Sequence, residues 1–310
     1  MGQHKPGVPR RPLSDTDDPH AVVKDLHTPP EGPFKRAIRA GWKIAKTPVL
    51  VRTAADLTAC ENFVIFIGYP GSGHTLLGSM LNAHPEILVS NELDALFYLD
   101  NGLSGKALLG AIIAHDLKFA RKGRQNSKGY DYATTTSGFD TGRPIKTIGD
   151  KKGFRTAQRL CARPHLLKKL VGRVRLPVKV IHLTRNPFDL AASYAKWNGH
   201  PPHVCAWQVA EMARLADQAA KTVSADNCLL VRYEDIVAKP NQTMVAACDF
   251  LGCSQEPSDL DSAVSLVEPR HARPADTADW PEKIRAEIAA ITDRYPAFAS
   301  YADDPRRPAA

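Results

Sequence analysis

Two stretches of this chain bring together residue types suited to holding and moving an anionic group. The first is Gly68-Tyr-Pro-Gly-Ser-Gly-His-Thr75, with the hydroxyls of Ser72 and Thr75 and the imidazole of His74 beside a glycine turn. Glycine allows a tight turn and a close backbone approach to a ligand. A helix that opens just after such a turn points its free N–H groups and its dipole at one spot. Here those groups belong to Gly71, Ser72, Gly73, His74, Thr75 and Leu76. The second stretch is Thr184-Arg-Asn-Pro-Phe-Asp-Leu-Ala-Ala-Ser-Tyr194. Asn186 is suited to an N-cap, Pro187 to the first helical position and Asp189 to the first turn. Two helical turns bring Ser193 back to the face of Asn186, so Arg185 and Ser193 can converge on one anion.

Elements of a parallel α/β sheet must position these residues. Residues 63–67 are an unbroken apolar run, Phe-Val-Ile-Phe-Ile, as expected of a strand covered on both faces. Leu76, Leu77, Met80 and Leu81 follow at helical spacing. A second strand is expected over 86–90, with Asn91 capping a helix that begins in Asn91-Glu-Leu-Asp94. A helix is expected over 105–119. Residues 121–144 read as a long polar loop whose Tyr130, Tyr132 and Phe139 suit a lid over an acceptor. A third strand over 145–149 leads into an Asp150-Lys151-Lys152 turn. A helix over 156–171 breaks or kinks at Pro164. Strands over 178–183 and 228–235 and helices over 203–223 and 240–251 complete the pattern. In parallel sheets ligands sit outside the carboxyl ends of the strands. That rule places Glu92 and Lys151 at the same crevice as Ser72. A carboxylate there can take a proton from an acceptor; equally, it can simply complement a helix dipole.

The composition narrows the function. The chain has 310 residues, 43% hydrophobic and 24% charged, enough for one α/β domain with extensions. A net charge of +8 favours an anionic ligand. Zinc-finger, basic-zipper and RNA-binding sequence patterns are missing, so nucleic acid is not the expected partner. The six cysteines form no Cys-x-x-Cys pair and several lie in apolar runs. They are expected to be reduced core residues of a cytoplasmic protein, with no zinc site. His200 and His203 read as a polar turn. No stretch reaches the ~20 apolar residues of a membrane span, and the first residues lack the apolar core of a signal peptide. Residues 1–32 are expected to be a disordered or surface-draped tail. Residues 33–60 carry a basic amphipathic helix, either packed on the domain or touching an anionic surface. The main domain is expected over 61–310.

Two families fit the glycine loop. Gly68, Gly73, His74 and Thr75 match the Walker A pattern of P-loop kinases except at its lysine. Pro70, Ser72, Gly73, Thr75 and Ala83-His84-Pro85 resemble the phosphosulfate loop of sulfotransferases that use 3′-phosphoadenylyl sulfate (PAPS). There Gly71 stands where that family usually has a basic residue, and His74 where it has a hydroxyl. The second stretch resembles the same family's 3′-phosphate motif almost throughout. Gly149-Asp150-Lys151 and Arg232-Tyr-Glu-Asp235 resemble two of its further elements. The resemblance covers roughly residues 62–295. It implies a P-loop-like fold with a mainly parallel central sheet, and transfer of a sulfuryl group from PAPS to a hydroxyl or amine. It also implies a small-molecule or carbohydrate-like acceptor and no metal. Arg185 and Ser193 then hold the 3′-phosphate and Tyr233 contacts the adenine, while Arg270 or Arg273 completes the phosphate clamp. Lys151, with His74, supplies the charge missing at Gly71. Glu92 is the first candidate base and His74 the second. A kinase and a non-catalytic protein that binds adenosine 3′,5′-bisphosphate stand as alternatives.

Overall fold

The computed structural model describes residues 57–103, 105–121, 143–268 and 280–308. At its centre are five strands: β1 (Asn62–Gly68), β2 (Ile87–Asn91), β3 (Thr147–Lys151), β4 (Val178–Thr184) and β5 (Cys228–Arg232). They lie in the order β2-β3-β1-β4-β5 and every pairing is parallel. A parallel sheet must be covered on both faces, and β1 is buried along its whole length. Alternation along the strand sends Phe63, Ile65 and Ile67 into one core and Val64 and Phe66 into another.

The first core is closed by α2 (Ala95–Asp100), α3 (Gly105–Ala120), α4 (Phe154–Ala162), α5 (His165–Val174), α6 (Pro187–Asn198), α7 (Pro202–Ala220) and α11 (Glu282–Arg294). The second is closed by α1 (His74–Ala83), α8 (Tyr233–Ala238), α9 (Pro240–Leu251) and α10 (Pro257–Val264). The chain leaves β1 towards β2 and β3 on one side, then crosses to β4 and β5 on the other. The carboxyl end of β1 therefore opens at a topological switch point, the usual ligand crevice of such sheets. The expected α/β fold with a parallel central sheet is the one observed.

Several boundaries differ from expectation for physical reasons. β3 runs two residues further, so Asp150 and Lys151 are buried strand residues and not part of a solvated turn. They pair with Ser90 and Asn91 of β2, and the Asp150 carboxylate accepts the Ser90 hydroxyl at 2.6 Å. Asn91 ends β2 and caps nothing; α2 begins only at Ala95, without a cap from its own neighbouring side chain. β5 stops at Arg232, so Tyr233 opens α8. Pro164 separates α4 from α5, as expected. All six cysteines carry free thiols, and burial pushes those of Cys60, Cys205 and Cys248 up to about 12. Among the described residues no helix is long and apolar enough to cross a membrane. The tail over 1–32, nearly all of 33–60, the aromatic loop residues Tyr130, Tyr132 and Phe139, and Arg270 and Arg273 lie outside the described residues.

β1 and β3 approach closely at Gly149, where an added Cβ would lie 2.0 Å from the Val64 carbonyl oxygen. Backbone cannot yield there without opening the sheet. Gly149→Ala should cost about 3 kcal/mol or more, read as a lowered denaturation midpoint in urea; an unchanged midpoint would show that the two strands separate freely.

Candidate functional site

The loop after β1 is built to leave donors open. Gly73 takes φ 90°, ψ 10° and α1 has no side-chain cap. The first helical bond runs from the Leu77 N–H to the Gly73 carbonyl at 3.0 Å. The N–H groups of His74, Thr75 and Leu76 therefore have no helical acceptor. Gly73 is confined as well: a Cβ there would meet the Tyr233 ring at 2.5 Å. Ser72 faces inward. Its N–H donates to the Tyr69 carbonyl at 3.1 Å, and its hydroxyl donates to the same oxygen at 2.7 Å. With no exposed surface, Ser72 braces the turn, whereas the family resemblance puts its hydroxyl on the anion.

His74 is braced too. Nε2 donates to the Ile67 carbonyl at 3.3 Å, and Nδ1 lies 3.2 Å from Ser72 Oγ. Burial and the nearby Lys151 charge lower its pKa to about 4. That shift favours the uncharged imidazole near neutral pH.

Lys151 stands at the end of β3 with its side chain only 3% exposed. Nζ donates to Thr75 Oγ1 at 3.3 Å and to Glu92 Oε1 at 3.0 Å. Lys151 thus extends from the strand end beside β1 to the edge of the loop at Thr75. Burial lowers its pKa, opposed by the Glu92 carboxylate. Lys152 Nζ takes the other Glu92 oxygen at 2.9 Å. Glu92 remains 52% exposed. Burial alone would raise its pKa, but the two ammonium groups outweigh that and hold it at about 2.

The second stretch folds as its residues dictate. Asn186 Oδ1 accepts the Phe188 N–H at 2.9 Å, with Pro187 at N1 and Asp189 in the first turn of α6. Arg185 donates to the Gly71 carbonyl at 2.9 Å, and its guanidinium lies 4.6 Å above the Tyr233 ring centre. Its Nε is buried without a partner among the described residues. Arg185 thus ties together the ends of β1, β4 and β5. Ser193 is buried on α6, two turns beyond Asn186.

The sequence does not announce the contribution of residues 301–308. The Asn186 side-chain amide donates to Asp304. Arg306 donates to Asp304 at 2.7 Å and to Asp189 at 3.1 Å, and lies over the Phe188 ring at 5.2 Å. Glu234 accepts the Asn186 N–H at 3.0 Å and the Tyr301 hydroxyl at 2.6 Å. Mixed charge in Tyr-Ala-Asp-Asp-Pro-Arg-Arg is the only sequence signal for this closure. Among the described residues, no group of three or more His, Cys, Asp or Glu side chains is set to hold a metal.

With this geometry in place, the family can be stated. The sulfotransferase domain profile matches residues 61–288. The chain belongs to the sulfotransferase family, and the match supports sulfuryl transfer as its activity. No curated protein sequence matches the chain. Among solved structures it is similar to the sulfotransferase domain from the curacin biosynthetic pathway, at 20% identity over 76% of this chain and 98% of that one, TM-score 0.48. It is also similar to sulfotransferase STF1 from Mycobacterium tuberculosis H37Rv, at 12% identity over 86% and 83%, TM-score 0.47. A mouse sulfotransferase complexed with PAP aligns at 14% identity over 83% and 88%, TM-score 0.39.

Buried neutral histidines give the fold a pH dependence. His74 falls from 6.5 to about 4, and His182, buried beside the Tyr69 hydroxyl at 3.3 Å, falls from 6.5 to about 3. The unfolded chain therefore takes up protons first as pH drops below 6.5, and stability is lost towards these lower values. Asp150 acts in the opposite sense, because burial raises it from 3.8 to about 6 despite its hydrogen bonds. The melting temperature should fall between pH 7 and 4.5, and His182→Gln should flatten the slope by up to about 1.4 kcal/mol per pH unit. An unaltered slope in that variant would mean that His182 is protonated in the folded protein.

Proposed function

We propose that the protein transfers the sulfuryl group of PAPS to a hydroxyl or amine of a small-molecule or carbohydrate-like acceptor, leaving adenosine 3′,5′-bisphosphate. The observation that carries this reading is the buried Lys151 ammonium 3.3 Å from Thr75 Oγ1, beside the open N–H groups of α1. It supplies from β3 the positive charge that Gly71 omits from the loop. The partnerless Nε of Arg185 and the uncapped start of α1 support a ligand with anionic groups at both places.

PAPS brings an activated sulfuryl group and a good leaving phosphate. The residues of this chain do the rest. The N–H groups of His74, Thr75 and Leu76 and the Thr75 hydroxyl hold the phosphosulfate. Arg185 and Ser193 take the 3′-phosphate, and Tyr233 lies against the adenine. As the sulfur–oxygen bond to the nucleotide breaks and a bond to the acceptor forms, Lys151 offsets the charge growing on the departing phosphate.

The acceptor proton passes to Glu92, whose carboxylate is the exposed base of the group. A carboxylate held at about 2 is too weak to deprotonate a free hydroxyl. Proton transfer therefore comes late, when bonding to sulfur has made the acceptor acidic. His74 gives its Nε2 proton to the Ile67 carbonyl, and we read it as keeping the loop in shape. The domain is read as spanning 61–310, with residues 301–308 closing on the 3′-phosphate motif.

The direct test is thermal unfolding with adenosine 3′,5′-bisphosphate beside magnesium ATP. A ligand at 100 times its Kd adds about 2.7 kcal/mol, so the bisphosphate should raise the melting temperature and magnesium ATP should not. A shift with magnesium ATP alone would return the loop to the kinase reading. Arg185→Ala should weaken bisphosphate binding about 10- to 100-fold through loss of a charge-assisted contact; unchanged affinity would remove the second motif from the site. Lys151→Met should lower sulfation of an acceptor about 10²- to 10³-fold, and full turnover in that variant would exclude Lys151 as the stabilising charge.

A further inference from the structure

Between β2 and α2 the chain makes a turn that its residue types do not favour. Glu92 and Asp94 both adopt positive φ, 69° and 72°, although neither is glycine. Such conformations cost about 1–3 kcal/mol each and persist only where surrounding contacts overrule them. Glu92 is the residue whose carboxylate meets Lys151 and Lys152.

The contacts that overrule this strain converge on a side chain from another strand. Asp150, on β3 and buried, accepts the Ser90 hydroxyl at 2.6 Å and the Leu93 N–H at 3.0 Å on Oδ1. Its Oδ2 accepts the Ala95 N–H at 2.7 Å. One carboxylate thus fixes the strand before the turn, the middle of the turn and the first residue of α2. Outside, Arg159 grips Asp94 at 2.7 and 2.6 Å. The Glu92 N–H donates to the Lys151 carbonyl at 2.9 Å. Among the described residues Glu92 is tied by that bond and by its lysines, so its direction depends on the turn that carries it.

We propose that Asp150 is a positioning residue: its buried carboxylate holds the strained turn over residues 92–94 so that Glu92 stands on the Lys151 ammonium. Asp150 touches no reacting group and acts through Glu92. Its importance to sulfuryl transfer rests on the function proposed above, whereas its hold on Glu92 does not. An asparagine at this place would turn an N–H₂ towards one of the three donors, releasing part of the turn.

The test reads Lys151 directly. Acetylation of each lysine by acetic anhydride is followed by peptide mass spectrometry in the folded full-length protein, with thermal unfolding alongside. Freed from Glu92, the Lys151 ammonium loses its proton more readily. Asp150→Asn should therefore speed labelling at Lys151 about tenfold, the equivalent of one pKa unit. Glu92→Gln should give a similar rise, and adding Asp150→Asn to it should bring only the smaller increment owed to the Asp150 charge acting directly on Lys151. Labelling of Lys151 at the unaltered rate in folded Asp150→Asn would overturn the proposal. So would an Asp150→Asn effect of full size in the Glu92→Gln background, because that is general loosening or the direct pull of the Asp150 charge on Lys151, not positioning of Glu92. Should Asp150→Asn fail to fold, Ser90→Ala removes one of the three bonds and should give a smaller rise at Lys151, absent when Glu92 is Gln; no rise would again overturn it. Bisphosphate binding by the unaltered protein judges the functional reading separately.

Discussion

A buried ammonium cannot stand alone in a protein interior, and the arrangement of this site follows from that constraint. Lys151 sits at the end of a central strand with its charge out of water. It needs an anion, and Glu92 supplies one at 3.0 Å. Desolvation of one unpaired charge costs several kcal/mol, so the turn after β2 has to deliver a carboxylate to this point. The same ammonium leans on Thr75 at the mouth of the loop. Loop, strand end and turn are therefore held by one charge. The Gly71 loop carries no lysine or arginine, and the neighbouring strand brings an ammonium to its edge at Thr75.

Arg185 plays the matching part on the other side of β1. It bonds the Gly71 carbonyl and stacks on Tyr233, so the loop after β1 is gripped by the end of β4 and the start of α8. The glycines fit this scheme sterically. Gly73 must be bare because Tyr233 fills the space of a Cβ, and it must take positive φ to start α1 without a cap. The result leaves peptide N–H groups facing outward while hydroxyl and imidazole groups face in. Ser72 and His74 hold the form of the turn from within.

Local chemistry was legible in the sequence and distant chemistry was not. The capping by Asn186, the break at Pro164 and the buried run of β1 depend on neighbours in the chain, and each stands where its residues put it. Lys151 was legible as a strand-end cation because parallel sheets gather their strand ends at one crevice. Asn91 was misleading, since a good capping residue stood beside a helix whose cap comes from Asp150, 55 residues away. The inward turn of Ser72 depends on the Tyr69 carbonyl, which a motif cannot display. The ties of Arg306 to Asp189 span 117 residues with no pattern to mark them.

That long tie bears on the order in which the molecule takes shape. Arg185 meets Gly71 across 114 residues, and Asn186 meets Asp304 across 118. Contacts so far apart must overcome chain entropy before they return any stabilisation, and folding slows as their share grows. The helices and individual strand turns can form early. The contact between loop and arginine cannot exist until the sheet is paired, and the bonds of Asn186 and Asp189 wait for residues 301–308 to dock. Partly folded chains therefore lack the loop–arginine contact, and any ligand that needs both partners would bind the finished molecule alone, pulling the last folding step to completion without assisting the earlier ones.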